Sequence, residues 1–184
     1  MTCIVGLVDN GTVYMGGDSA GVCGYNLTER KDSKVFTNGE FIMGFTSSFR
    51  MGQLLRYKFK PPKRSSKTGI YRYMVTDFVD AVRECFNEGG YAGSDSKGRE
   101  EGGRWLLGYK GRLFEIDCDY QVGEGVLKYE SIGVGNEYAL GSMYTSEGWD
   151  SPEDRVKTAL KAACKFNGGV TKPLRIMKLY GGEI

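Results

Sequence analysis

The chain opens with an apolar run, Thr2 to Val8, broken at Asp9-Asn10-Gly11 and resumed from Thr12 to Met15. This predicts a β-hairpin, because Asn-Gly adopts the positive φ angles of a tight primed turn at little cost. Gly16-Gly17 follows, a place for close backbone approach. Lys34 to Thr37 and Phe41 to Phe45, around Asn38-Gly39, predict a second hairpin, placed with the first in one antiparallel sheet. The period then changes. Ser47 or Ser48 can cap a helix through Met51, Leu54, Leu55 and Tyr57 that Pro61-Pro62 stops. Ile70, Met74, Val75, Phe78, Val79, Val82 and Phe86 recur at helical spacing and predict a longer helix over 70–86.

Tyr91 to Gly103 is rich in glycine, serine and charge and reads as a mobile loop. Strands are expected again at Arg104–Tyr109 and Arg112–Ile116 around Lys110-Gly111, and at Val126–Ile132. Asn136 to Tyr144 reads as helix. Ser151-Pro152-Glu153-Asp154 is a helix start, with an N-cap, proline in the first turn and acids near the positive end of the dipole. That helix is expected to reach Phe166 and end at Gly168-Gly169, before a closing strand Leu174–Tyr180. The order predicts an α+β class: a four-layer αββα sandwich of two antiparallel sheets flanked by helices. Each half of the chain is expected to supply one sheet and one helix pair, within a single domain over 1–184.

With 184 residues, 40% of them hydrophobic, the chain can bury such a core. A net charge of +2 does not point to nucleic acid. The basic stretch Lys58, Lys60, Lys63, Arg64 and Lys67 reads as a solvated loop. No run is long enough for a membrane helix, and the N-terminus lacks the pattern of a signal peptide, so a cytoplasmic protein is expected. Cys3, Cys23, Cys85, Cys118 and Cys164 are odd in number, contain no C-x-x-C pair, and read as free thiols. Cys3 reads as a small buried strand residue. Asp117 and Asp119 read as turn acids rather than metal ligands.

The chain contains no histidine, which removes Ser-His and Cys-His triads and His-ligated zinc. Thr2 leaves another acyl-transfer design open. If Met1 is removed, one residue carries both a hydroxyl nucleophile and a free α-amine that can act as its base. An α-amine titrates near pH 8, so it is a usable base near neutrality. A nearby ammonium would lower that pKa further, and a carboxylate beside the ammonium would hold it charged.

Several stretches resemble the proteasome β-subunit group of N-terminal nucleophile hydrolases, which includes the bacterial HslV peptidase. They are Thr2-Cys-Ile-Val-Gly6, Gly16-Gly-Asp18-Ser19, Lys34-Val35, Met43-Gly44-Phe45 before a helix, Leu107-Gly-Tyr109, Leu113-Phe-Glu-Ile-Asp117, Ile132-Gly-Val-Gly135 and Tyr138-Ala-Leu-Gly141. Their order and spacing fit nearly end to end. The resemblance implies the αββα fold and a threonine endopeptidase. Thr2 would be the nucleophile, Lys34 the lysine holding positive potential beside it, and Asp18 its partner. Ser47 falls at the glycine whose backbone N–H stabilises the oxyanion, and Phe45 would line and narrow the first specificity pocket. Gly133, Val134 and Gly135 stand where the family has Gly-Ser-Gly. Val134 replaces a serine that helps position the amine, while Cys164 and Asn167 replace an aspartate and a serine. Either Ser131, Ser142 or a water takes over, or activity is reduced or lost.

The resemblance further implies identical subunits in rings of six or seven, which stack in many members, and peptide or unfolded-protein substrates. An ATP-driven unfoldase is a further candidate partner. No cofactor is required, and a structural monovalent cation is left open. A catalytically silent ring-forming protein and a small-molecule amidase on the same fold are the alternative readings.

Overall fold

A computed structural model describes residues 1–94, 96, 98 and 100–182. Strands β1 (Ile4–Asp9) and β2 (Thr12–Gly17) form the first hairpin, turning at Asn10 and Gly11, both at positive φ. Next come β3 (Ala20–Cys23) and β4 (Asn26–Glu29), a largely exposed ribbon. The second predicted hairpin is β5 (Val35–Asn38) and β6 (Phe41–Phe45). Helix α1 (Phe49–Gln53) continues as a π-helical stretch, Leu54–Lys58. Ser48 caps α1, its hydroxyl accepting from the N–H groups of Arg50 and Met51. The helix ends before Pro61, where the Phe59 N–H reaches back to the Leu54 carbonyl.

The long predicted helix is present as α2 (Ile70–Tyr73), a π-helical stretch Met74–Phe78, and α3 (Val79–Glu88). Inside the π-helical stretch, Thr76 Oγ1 donates to the Arg72 carbonyl at 2.7 Å, competing for an oxygen that a regular helix gives to a backbone N–H. The segment expected as a mobile loop carries a short ribbon, β7 (Gly93–Ser94) with β8 (Glu100–Glu101). Residues 95, 97 and 99 of that segment lie outside the described residues. Strands β9 (Trp105–Tyr109), β10 (Arg112–Ile116), β11 (Val122–Gly123) and β12 (Tyr129–Ile132) follow. Helices α4 (Asn136–Thr145) and α5 (Pro152–Phe166) precede β13 (Arg175–Tyr180). Ser151 caps α5 as its sequence predicts.

The two N-terminal hairpins do not share a sheet. One sheet has the order β12-β1-β2-β13 and the other β11-β10-β9-β6-β5. The first therefore joins the N-terminal hairpin to strands from the C-terminal half, and the expectation of one sheet per half fails. Strand alternation explains the layering. In β1, Val5 and Leu7 pack with α4 and α5, while Ile4 faces the other sheet among Val13, Met15, Val35, Ile42, Leu106 and Ile132. In β6 and β9, Phe41, Met43, Phe45, Trp105 and Leu107 face α1–α3. The result is the predicted αββα sandwich. The sheets approach closely at Gly44, where a Cβ would lie 2.5 Å from Ile4 Cγ2.

Candidate active site

The site forms where the two sheets share an end. The β1–β2 pairing ends at Ile4 opposite Gly17, and the contact continues one step further: the Asp18 N–H donates to the Cys3 carbonyl at 3.3 Å. The Asp18 carboxylate answers by accepting from the Cys3 N–H at 3.0 Å and the Ala20 N–H at 2.9 Å. The Thr171 N–H, from the loop before β13, approaches it at 3.5 Å. Register thus places Asp18 opposite Cys3, the residue after Thr2. Lys34 arrives from the other sheet, at the entrance to β5, where its carbonyl accepts from the Phe45 N–H at 3.1 Å.

The Lys34 ammonium lies 3.0 and 3.1 Å from the two Asp18 oxygens and donates to Thr2 Oγ1 at 2.9 Å. Thr2, Asp18 and Lys34 are 4%, 1% and 2% exposed, so these interactions are little screened by solvent. Burial pulls the Lys34 pKa down; the charge and hydrogen bonding of Asp18 push it back up. The Lys34 ammonium also stands 5.8 Å from the centroid of the Phe49 ring. Thr2 Oγ1 hydrogen-bonds to the carbonyl of Met1, and with Met1 attached the Thr2 nitrogen is an amide without basicity.

Behind Thr2 runs the turn 133–135. Gly133 has φ +97°, and a Cβ there would lie 2.3 Å from the Thr2 carbonyl oxygen. Only glycine lets this backbone pass Thr2 so closely. The Gly135 N–H donates to the same carbonyl at 3.3 Å. The Val134 side chain is 47% exposed, and its carbonyl accepts from Asn167 Nδ2 at 2.7 Å. Asn167 also accepts from the Gly169 N–H at 2.9 Å, so its amide braces this turn. Cys164 packs at the edge of the core formed by α4, α5 and β1, and burial raises its thiol pKa. Ser131 is committed elsewhere, donating to the Ile4 carbonyl at 2.8 Å. Ser142, on α4, accepts from Ser146 Oγ through its backbone carbonyl at 2.8 Å.

Ser47 has φ +58°, in the left-handed region that glycine occupies without strain. Its hydroxyl accepts from the Arg104 N–H at 3.2 Å, a contact that a glycine there would lack. A cleft of about 70 Å³ brings Thr2, Lys34, Phe45, Ser47 and Met1 together against Phe49. The Phe45 ring is buried, edge-on to Phe49 with centroids 5.6 Å apart. It walls this cleft and a second cavity of about 260 Å³ that also contains Phe49, Arg30, Asp32 and Arg56. Phe45 therefore forms a partition and leaves open space beside it.

Cys3 is buried in the strand, its Sγ 3.7 Å from Ser131 Oγ, and burial pushes its thiol up to about 12. Asp117 and Asp119 each accept a backbone N–H within their turn. Sequence reasoning missed Phe49, Arg30 and the Thr171 N–H. Phe49 could have been noticed as the first helical residue after the Ser48 cap, whereas Arg30 and Thr171 carry no local signal.

No protein-family model and no curated protein matches this chain. Solved structures do. The fold is similar to that of Thiobacillus denitrificans BPH in complex with epoxomicin, at 16% identity and TM-score 0.81, covering 99% of this chain and 100% of the other. Eukaryotic HslV from Trypanosoma brucei is 18% identical with TM-score 0.72, covering 97% and 99% of the two chains. Anbu (ancestral beta-subunit) from Yersinia bercovieri is 19% identical with TM-score 0.66, covering 97% of this chain and 82% of its own. The chain thus has the proteasome-type N-terminal nucleophile hydrolase fold. Among the described residues, no helix is long and apolar enough to cross a membrane.

Proposed function

We propose that this chain is a threonine peptidase subunit whose nucleophile is Thr2 after removal of Met1. The observation that carries this reading is the buried Lys34 ammonium, 2.9 Å from Thr2 Oγ1 and salt-bridged to Asp18 at 3.0 Å. A free Thr2 amine accepts the hydroxyl proton as Oγ1 attacks the scissile carbonyl carbon. The adjacent cation favours the neutral, basic form of that amine. The backbone N–H of Ser47 is the candidate donor to the oxyanion. The amine then passes its proton to the leaving nitrogen, the acyl–Thr2 ester forms, and water hydrolyses it. The 133–135 turn positions Thr2 through its carbonyl. Identical subunits in rings of six or seven, a peptide or unfolded-protein substrate and an ATP-driven unfoldase belong to this reading through the family resemblance, as does a single domain over 1–184.

The silent, ring-forming reading is favoured by the half-exposed Val134 and by the engagement of Asn167 with the Val134 carbonyl. Intact mass and labelling by a peptide epoxyketone test both. The active reading expects loss of Met1, a single adduct on the N-terminal peptide, and no adduct in Thr2→Ala. A Met1-free protein that neither reacts nor cleaves peptides is the silent protein. A stable monomer in sedimentation would reject the ring and favour the small-molecule amidase.

A further inference from the structure

Two cavities share the Phe45 and Phe49 rings. One holds Thr2 and Lys34, and the other holds Arg30, Asp32, Arg56 and Tyr57. Phe49 joins them directly: the Lys34 ammonium lies 5.8 Å from its ring centroid and the Arg30 guanidinium 3.9 Å from the same centroid. A side chain that lies beside Thr2 and reaches past the edge of this shared aromatic wall would meet the two guanidiniums.

The charges in that cavity do not cancel. Asp32 accepts from Arg30 Nε at 2.8 Å and from Arg30 Nη2 at 2.7 Å, so both carboxylate oxygens are engaged by one guanidinium. Arg30, through its hydrogen bonds and charge, and Arg56, through its charge alone, hold Asp32 below the usual carboxylate range, which keeps it ionised. Arg56, on the π-helical stretch Leu54–Lys58, has no ion-pair partner among the described residues. Its guanidinium stands 5.7 Å from the Phe36 centroid and 5.2 Å from that of Tyr57. The cavity is left with one positive charge in excess, half shielded from water. A basic side chain would meet two guanidiniums. An aliphatic one would leave Arg56 partly desolvated and without a carboxylate. An acidic side chain satisfies it and lays its methylene stem on Phe45 and Phe49.

Resting on the peptidase reading above, we infer that the chain selects an acidic residue on the acyl side of the scissile bond, with Arg56 as the specificity-determining residue. Arg30 acts through Asp32, neutralising the carboxylate that would otherwise repel the substrate.

The test uses Met1-free protein and fluorogenic peptides that differ only at that position: Glu, Asp, Gln, Leu or Arg. The Glu peptide is expected to exceed the Gln peptide in kcat/KM by about tenfold or more, as a charge-assisted pair against a neutral isostere. Arg56→Glu should erase that advantage and raise cleavage of the Arg peptide relative to the Glu peptide. Labelling by an epoxyketone carrying Leu reads the Thr2 chemistry separately. Labelling with a preference for Leu, Gln or Arg overturns the inference and leaves the peptidase reading standing. So does an Arg56→Glu variant that slows all five peptides equally. No labelling and no cleavage of any peptide overturns both.

Discussion

Two regions touch Thr2, and they hold it in different ways. On one side, Asp18 and Lys34 form a buried ion pair in which the carboxylate receives N–H groups from Cys3, Ala20 and, at longer range, Thr171. On the other, the 133–135 turn grips only the Thr2 carbonyl, through Gly135 N–H and the close passage of Gly133. The first region is polar chemistry enclosed by both sheets. The second is backbone geometry at the surface, with the Val134 side chain in solvent. A buried charge tolerates no loss of its partner, whereas an exposed side chain on a tight turn can change freely provided the backbone does not. Val134 and Asn167 lie in the second region, and the Asp18–Lys34 pair in the first.

Breaking the ion pair is expected to have the largest effect. Lys34→Ala leaves Asp18 buried without its counter-charge, at a cost of about 3–5 kcal/mol. Urea unfolding measures it, and adding Asp18→Asn should recover part of the loss because the uncompensated carboxylate is gone. No recovery would mean that the cavity left by the lysine stem, not the charge, sets the cost.

Gly133→Ala attacks the second region at the one place it is rigid. The methyl group meets the backbone of Thr2 rather than a movable side chain, and φ +97° is strained for alanine. A loss of about 2–3 kcal/mol is expected, with labelling of Thr2 falling alongside. A neutral outcome would show that the turn can step back from Thr2.

A pH series separates the buried strand from its surroundings. Cys3 has a thiol pKa raised from 9.0 to about 12 by burial. Above pH 9 the unfolded chain loses this proton while the folded chain keeps it, so stability present below 9 falls as pH rises toward 12. Cys3→Ala should abolish about 1 kcal/mol of the decline between pH 8 and 10, read as the difference between the two urea-unfolding profiles. An equal decline in both proteins would place the titration elsewhere. Lys34 has the opposite sign: its lowered pKa makes stability rise with pH from that lowered value to 10.5.

The smallest stability effect is expected from Val134→Ser, within about 0.5 kcal/mol because the side chain is half exposed. Peptide hydrolysis should increase if the new hydroxyl orients the Thr2 amine. A decrease would show that the valine is part of a working site.

Much of this was written in local pattern. The Asn10-Gly11 turn, the Ser48 and Ser151 caps and the helical spacing of Met74, Phe78 and Val82 are short-range signals, and each element stands where its signal put it. Thr2 was legible as a candidate from its type and position, and Asp18 and Lys34 through the family resemblance. Sheet membership was not, because β5–β6 and β1–β2 have similar alternation and which edge each joins depends on distant strands. The closing strands β12 and β13 flank the N-terminal hairpin across more than a hundred residues of chain. The partition made by Phe45 and Phe49 also arises only from packing. Sequence alone determined that no side chain here can do histidine chemistry and singled out Thr2 as a candidate. The tertiary structure alone decided that Lys34, carried by the second sheet, meets Thr2 and Asp18 on the first. Two sheets must bury their apolar faces against each other, and that stacking brings the ends of β1, β2 and β5 to one point.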